Sequence, residues 1–367
     1  MCFNLYKAEL SACDNAKSFL QSGFWGSFKA RFGWEALAFK VEQAHSANTS
    51  ASPASLHTST FGSVGALRIL SDPCELLVLR RSLFAGFSLA YIPWGPELPE
   101  SCQDKNAALG ELALALKAEL PKDTVFIRFD PPWFTEGLES PPYIPPPFIR
   151  ASADIQPPDT VLIDLKQPME SIMEQMKPKW RYNARLAMKK GVIVRKAEPE
   201  DLDTFYTLLK ETARRDGIAI HSINYYKTLF ELTTNNSPLT TSLYLAEHEG
   251  ETLAGIVTLF RGREAVYLYG ASSDTKLNLM APYALQVKAM EDAKTWGCEE
   301  YDLFGIPPNE DPSHPMAGLY RFKTGFGGRI IHRPGSWDYL CSPVLYRMFR
   351  GAEALRKSLR TMRKRRG

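Results

Sequence analysis

Long apolar runs are missing from this sequence. Nowhere do about eighteen uncharged apolar residues follow one another, so there is no candidate for a helix that spans a bilayer. Cysteine is sparse and scattered: Cys2, Cys13, Cys74, Cys102, Cys298 and Cys341 form no CxxC pair and have no histidine at ligand spacing. Reduced thiols are expected, and a zinc site is disfavoured. His45, His57, His221, His248, His314 and His332 show no HxH or HxxxH spacing, which excludes the usual histidine metal sites. The string GFSLA at 86–90 lacks the second glycine of a nucleophile elbow and runs on into a strand. GFGGRI, from Gly325, lacks the final glycine of a dinucleotide fingerprint, and no GxxxxGK[ST] occurs. Serine hydrolases, nucleotide-loop enzymes and metalloenzymes are thereby set aside, and neither metal nor organic cofactor is expected.

What is present is an ordinary globular composition, 44% apolar and 23% charged, over 367 residues, enough for two domains. The N-terminal stretch breaks its apolar residues with Lys7, Glu9, Asp14 and Lys17, so it offers no signal-peptide core, and a cytoplasmic protein is expected. The net charge of +3 hides a polarised distribution, with nine Lys or Arg against the single acid Glu353 between Arg347 and Arg366. A phosphate-bearing partner and a solvated helix end explain such a tail equally well.

Residues 44–60 are small, polar and aperiodic, and read as a mobile loop. Between Pro131 and Pro158 lie nine of the 26 prolines, too many for helix interior or central strand. TVLIDL at 160–165 reads as the strand that follows this linker. The domain division expected is 1–165 plus 331–367 against 166–330. Helices are predicted over about 169–190, 200–215, 224–233 and 282–296, with an antiparallel meander between 242 and 272 and a strand at YDLFG. A fainter echo in the first half, a hairpin, a helix over 105–119 and the strand TVFIRFD, suggests two copies of one layered unit in an α+β class.

From Lys177 to Lys196 eight Lys or Arg occur with no acid, and Lys177, Arg181, Arg185 and Lys189 stand four apart. On a helix they make one column of like charge, which needs an anion to cover it; a phosphate-facing surface is favoured over a solvated face. Pro178 fits the first turn of that helix. Asp130 and Asp302 each end an apolar strand, where a turn cap is the commoner role and a cleft carboxylate the rarer. In GLYRFKTGFGG, residues 318–328, Lys323 sits among Tyr320, Phe322, Phe326 and three closing glycines. An ammonium so placed is poorly hydrated, and it either pairs with an anion or has its pKa lowered.

These segments, together with LQSGFWGSFKARFGW (20–34), AYIPWGP (90–96), RFDPP (128–132), IQPPDTVLIDL (155–165), TARRDGIAIHSINYY (212–226), LYGASS (268–273), APYALQ (281–286) and EEYDLFGI (299–306), resemble the Fem (FemABX) family of peptidoglycan bridge-forming aminoacyltransferases. The resemblance implies two acetyltransferase-like (GNAT) domains sharing a cleft, with the last segment returning to the first domain. The helices between 201 and 233 are short, so the form without a coiled-coil arm is expected. The activity implied is transfer of an amino acid from aminoacyl-tRNA to an amine on the stem peptide of lipid II or UDP-MurNAc-pentapeptide. By the same resemblance Lys323 and Phe322 line the reaction centre, Lys323 as the cation near the nascent oxyanion, with the glycines giving clearance for a large substrate. Lys29, Asp130, Arg215 (or its neighbour Arg214) and Tyr225 or Tyr226 would hold the acceptor, with Tyr283 also at the substrate, and the column Lys177, Arg181, Arg185 and Lys189, read above from its spacing, would meet the tRNA or phosphate. A monomer is expected, with peripheral contact at the inner membrane surface left open.

Such a site makes chemical sense. An aminoacyl ester is already activated, so the enzyme has only to bring up a neutral amine, stabilise the oxyanion and exclude water. The runner-up is an N-acyltransferase using acyl-CoA, but the position where a pyrophosphate cradle should open a helix reads LNLMAPYALQ, without glycine. A non-catalytic RNA- or membrane-surface-binding protein is the third reading, and it leaves Lys323 without a task.

Overall fold

The computed structural model describes residues 2–44, 74–98, 102–137, 139–233 and 239–366; most of the segment 44–60 read as a loop lies outside the described residues. In chain order the first elements are β1 (Cys2–Ala8), α1 (Gly23–Ala30), β2 (Glu35–Ala44), β3 (Cys74–Ser82), β4 (Ser88–Ile92), α2 (Lys105–Glu119) and β5 (Thr124–Phe129). Among its described residues the proline-rich passage holds only the two-residue strands β6 (Thr135–Glu136) and β7 (Ile149–Arg150), as missing N–H donors require. Then follow β8 (Asp159–Asp164), α3 (Met169–Gln175), α4 (Pro178–Lys189), β9 (Ile193–Lys196), α5 (Leu202–Asp216), α6 (Ile223–Thr233), β10 (Leu239–His248), β11 (Glu251–Arg261) and β12 (Glu264–Ser272). After these come α7 (Ala281–Trp296), β13 (Glu300–Asp302), α8 (Ala317–Thr324), β14 (Arg329–His332), β15 (Trp337–Leu340) and α9 (Pro343–Arg366).

The chain parts into two compact units, Met1–Pro132 with Ile144–Ala153 and Ser336–Gly367, and Trp133–Tyr143 with Asp154–Gly335. The first holds a seven-stranded sheet in the order β1-β2-β3-β4-β5-β15-β7, the second an eight-stranded sheet in the order β6-β14-β8-β13-β12-β11-β10-β9. In each, an antiparallel run ends in one parallel pair, β4 with β5 and β12 with β13. A parallel neighbour needs a crossover, and α2 and α7 supply it. The layered unit read twice in the sequence is thus present twice, and the α+β class holds. The sequence reading gave residues up to 165 to the first domain; β8 instead sits between β13 and β14 in the second sheet, because its ladder partners are there.

One long helix predicted over 169–190 is two. Pro178 lacks an N–H and biases the residue before it towards extended backbone, so Lys177 stands at ψ 141° and α4 starts afresh with proline in its first turn. α1 escaped the sequence reading because glycines at 23 and 26 hide its periodicity. Gly23 and Gly26 are required by the close approach of Leu10 and Leu77, and the Ser22 hydroxyl accepts from Trp25 N–H to cap the helix. In the corresponding region of the second unit, α5 and α6 are 15 and 11 residues long.

β5 is buried along its whole length, yet carries Arg128. Its guanidinium forks onto Asp338 of β15, Nε to Oδ1 at 2.7 Å and Nη2 to Oδ2 at 2.8 Å, and the Tyr346 hydroxyl of α9 donates to the same carboxylate at 2.7 Å. Phe126 of β5 receives the rings of Tyr346 and Phe349, at 5.2 and 5.0 Å, which seats α9 on this sheet. Removing one partner of a buried bidentate pair strands the other charge. Asp338→Ala is therefore expected to cost about 3–5 kcal/mol, read as a lowered urea midpoint of the first unit; a shift under about 1 kcal/mol would mean that the pair does not hold the strand.

Candidate functional site

Lys323 lies in the last turn of α8 and is 6% exposed. Its Nζ donates to the carbonyl oxygens of Phe304 at 3.1 Å and Gly305 at 2.9 Å, and stands 5.1 Å from the centre of the Tyr267 ring. Those carbonyls face it because the chain leaving β13 turns sharply: Phe304 has φ 57°, a left-handed conformation that a phenylalanine adopts only under constraint. The constraint is Asp302, buried, whose Oδ1 accepts from Phe304 N–H at 2.6 Å and from the Thr160 hydroxyl of β8. A side chain at 305 would strike Pro157, so glycine lets the turn lie flat against that proline. Burial lowers the Lys323 pKa to about 7, with the Asp302 charge opposing the fall.

Phe322, Phe326, Tyr283 and Trp180 close around this turn. Tyr283 of α7 meets Phe322 at 5.4 Å and Trp180 at 5.8 Å, and Phe322 meets Phe326 at 5.1 Å. Trp180 Nε1 donates to the Phe322 carbonyl at 2.7 Å, tying α4 to α8. The three glycines after Lys323, expected to leave room for a substrate, face the protein itself. A methyl on Gly325 would collide with the Trp180 indole, one on Gly327 would lie 2.8 Å from the Gln175 carbonyl, and one on Gly328 would collide with the Leu162 carbonyl. The clearance is taken up by the protein's own side chain and backbone, and the three glycines pack α8 onto α3, α4 and β8.

Arg215, Tyr225 and Tyr226 form a second cluster on the same sheet. Arg215 at the end of α5 donates to Asp216 at 2.9 Å, to Asp274 at 2.7 Å and to the Ser272 carbonyl at 3.1 Å; Arg214 beside it is exposed. His221 stacks on Tyr225 at 3.8 Å, Tyr269 packs edge-on to Tyr226 at 5.1 Å, and the Tyr269 hydroxyl donates to that of Tyr225 at 3.4 Å. Burial raises the pKa of both Tyr225 and Tyr226. Strand β12 serves both clusters: Tyr267 faces Lys323, Tyr269 faces Tyr225 and Ser272 meets Arg215. A bulge at Leu268 lies between the two tyrosines.

Lys29 and Asp130 belong to the first unit, linked by two rings. The Lys29 ammonium lies 5.4 Å from the Trp25 ring and 5.7 Å from that of Trp34, which is 6.1 Å from Tyr91, whose hydroxyl donates to Asp130. Ser336 donates to the other Asp130 oxygen. Burial, then the nearby Arg81 charge, brings the Lys29 pKa down to about 8.

The basic column is only partly a surface. Lys177 stands at the N-cap position of α4 without a side-chain capping bond, and it, Arg185 and Lys189 are exposed, but Arg181 Nη1 donates to the Glu174 carbonyl at 3.0 Å and so satisfies the end of α3. At the start of α7, where an acyl-CoA enzyme would present amides to a pyrophosphate, Pro282 removes one N–H, and non-glycine residues Lys276 and Met280 hold φ 46° and 57°. Among the described residues no cluster of His, Cys, Asp or Glu is arranged to hold a metal, and no helix is long and apolar enough to cross a membrane. The sequence reading missed Trp180, Tyr267 and Phe304. Trp180 stood in plain view inside the basic run, but nothing local marks a residue whose partner is 142 positions away.

A FemAB family model matches residues 148–243 and 238–354, more than half of the chain. Lipid II:glycine glycyltransferases of Staphylococcus epidermidis and Staphylococcus saprophyticus are 24% and 23% identical over 253 residues, covering 53% of this chain and 61% of theirs. The matched stretch thus spans less than two thirds of the length of these relatives. The crystal structure of FemX superposes with a TM-score of 0.73 at 18% identity, over 94% of this chain and 99% of that one, so the fold is shared.

The packing makes a paired forecast for α8. Gly325→Ala is expected to destabilise by about 1–3 kcal/mol through overpacking against Trp180. Gly318→Ala, in open space on the same helix, should be neutral or stabilise by up to about 1 kcal/mol. Thermal unfolding of the two variants checks this, and equal transitions would overturn the packing role of Gly325.

Proposed function

The chain belongs to the FemAB family, and from that premise we propose that it is an aminoacyltransferase, moving an amino acid from aminoacyl-tRNA to the stem-peptide amine of a peptidoglycan precursor, lipid II or UDP-MurNAc-pentapeptide. The observation that carries this reading is the buried Lys323 ammonium, with two of its three N–H groups occupied by the Phe304 and Gly305 carbonyls. One donor is left for a further oxygen. When the acceptor amine attacks the ester carbonyl carbon, the C=O electron pair moves to oxygen, and that N–H meets the resulting anion. Collapse of the intermediate re-forms the carbonyl and expels the ribose oxygen, which takes up the proton lost by the amine. No covalent nucleophile is needed. Phe322, Tyr283 and Trp180 form an apolar wall that keeps competing water from the ester.

The other residues enter unequally. Tyr283 stands against Phe322 and lines the reaction centre. Lys29, half-buried between tryptophans, is a cation for acceptor phosphate or carboxylate. Asp130 acts through the Tyr91 and Ser336 hydroxyls it holds. For Arg215 to take an acceptor anion, it must exchange Asp274 for it, and Tyr225 and Tyr226 brace that corner. Lys177, Arg185 and Lys189 meet donor tRNA phosphates, while Arg181 keeps α3 and α4 in register. A lipid-linked acceptor places the enzyme at the cytoplasmic face of the membrane. The support is the named activity of the relatives and the charge, burial and donor count at Lys323.

Incubating the protein with a panel of aminoacyl-tRNAs and both precursor types should yield a precursor extended by one residue in mass spectrometry. A folded protein that leaves the panel unreacted yet consumes acyl-CoA would overturn the proposal. Lys323→Met should lower kcat by roughly 100- to 1,000-fold with little change in KM. Because burial holds the Lys323 pKa down to about 7, the cation is lost as pH rises through about 7, and kcat/KM should fall there. That alkaline limb should be absent in Lys323→Arg; its persistence would assign it to another group. Separately, reversing Arg185 and Lys189 to Glu should weaken tRNA binding and reduce the log–log salt slope by about 0.7–0.9 per cation removed. An unchanged slope would make this helix a solvated face.

A further inference from the structure

The function described above makes no use of α9, although this helix carries nine Lys or Arg and one acid. Its first turns present two apolar faces. The inner one, Tyr346 and Phe349, is spent on Phe126. The outer one is not: Val344, Met348 and Leu355 are 68%, 57% and 61% exposed. At 3.6 residues per turn these three fall within about 40° of one another, a single stripe along the helix. The lone acid, Glu353, falls on the inner side, where its carboxylate accepts from the Ser152 hydroxyl at 2.5 Å. Arg350 also leans inward, its guanidinium 6.0 Å from the Tyr346 ring, whereas Arg347 is exposed beside the stripe. From Pro343 to Leu355 the outer face is therefore apolar along its centre and free of negative charge, on a helix whose sequence carries a net charge of +8.

We propose that the outer face of α9 lies on an anionic phospholipid surface, with Val344, Met348 and Leu355 entering the headgroup–acyl boundary and Arg347, exposed beside them, meeting lipid phosphates. Charge complementarity selects an anionic partner, and the stripe selects among anionic partners: a nucleic-acid backbone has no use for three exposed aliphatic side chains, whereas a bilayer has. Twenty-four residues give a helix about 36 Å long, which suits lying in the interface. Its composition does not suit crossing a membrane. Each element is modest by itself, since an apolar stripe or a basic cluster alone gives weak, reversible binding, and the two signals together give stable attachment. This inference adds to the aminoacyltransferase reading and does not depend on it.

The test is co-sedimentation of the full chain with vesicles of phosphatidylcholine containing about one third phosphatidylglycerol, and with vesicles of phosphatidylcholine alone. Binding is expected to the first and not to the second. The Val344→Asp, Met348→Asp, Leu355→Asp triple variant is expected to lose about tenfold or more of the partitioning with an unchanged thermal transition, because all three side chains already face water. Arg347→Glu serves as a second, milder variant and should lose binding by a smaller factor. The proposal is overturned if the wild-type chain stays in the supernatant, if the triple variant sediments as well as wild type, or if the triple variant loses tRNA binding while keeping vesicle binding. Transfer to a water-soluble acceptor, measured in parallel, separates the two claims: it tests the chemistry, and the vesicles test the helix.

Discussion

The bond pair from Lys323 Nζ to the Phe304 and Gly305 carbonyls is what the second unit is arranged to hold. Burying an ammonium is expensive, and the cost is met from several sides. Two carbonyl dipoles accept from it, a tyrosine ring faces it, and the Asp302 carboxylate stands behind the turn. Each of those partners rests on another constraint. The carbonyls face inward because Phe304 is left-handed; Phe304 is left-handed because Asp302 fixes its N–H; Asp302 is fixed in turn by Thr160 on the neighbouring strand. On the other side α8 is pressed into place by glycines that admit an indole and two backbone carbonyls. The strain at Phe304 is thus sustained by packing on three elements.

Strand β12 gives this arrangement its reach. It carries Tyr267 to the lysine, Tyr269 to the tyrosine cluster and Ser272 to Arg215, so one strand sets the spacing between the buried Lys323 and the Arg215–Tyr225–Tyr226 cluster. A site built on a central strand keeps its geometry better than one spread over loops, which matters when catalysis consists mainly of bringing two substrates to one point.

Much of this was legible in the sequence. The helix over 105–119, the helices that became α5, α6 and α7, and the meander all followed from periodicity and turn residues, and the repeat of one layered unit followed from their order. The burial of Lys323 was legible from its neighbours, since aromatic and glycine residues around one lysine already imply poor hydration. The misses have physical causes. The break between α3 and α4 depends on how far one proline biases Lys177, and pattern alone does not decide that. Arg181 looked like a fourth surface cation because spacing registers charge and not the open carbonyls of the preceding helix. The glycines after Lys323 were read as room for a ligand; close approach was the right inference, but what approaches is the Trp180 indole and the Gln175 and Leu162 carbonyls, which only the tertiary fold identifies.

The position of β15 has a consequence for how the molecule is made. That strand lies between β5 and β7 in the first sheet, yet it is encoded after the whole of the second unit. On the ribosome, β5 must therefore wait while some two hundred residues are added, about ten to forty seconds at ordinary elongation rates. Throughout that time its apolar flank is uncovered and Arg128 is without the carboxylate of Asp338. Having emerged first, the first unit is nevertheless the last to complete its sheet, and the interval exposes a strand edge to whatever chaperone or neighbouring chain arrives before residue 338 does.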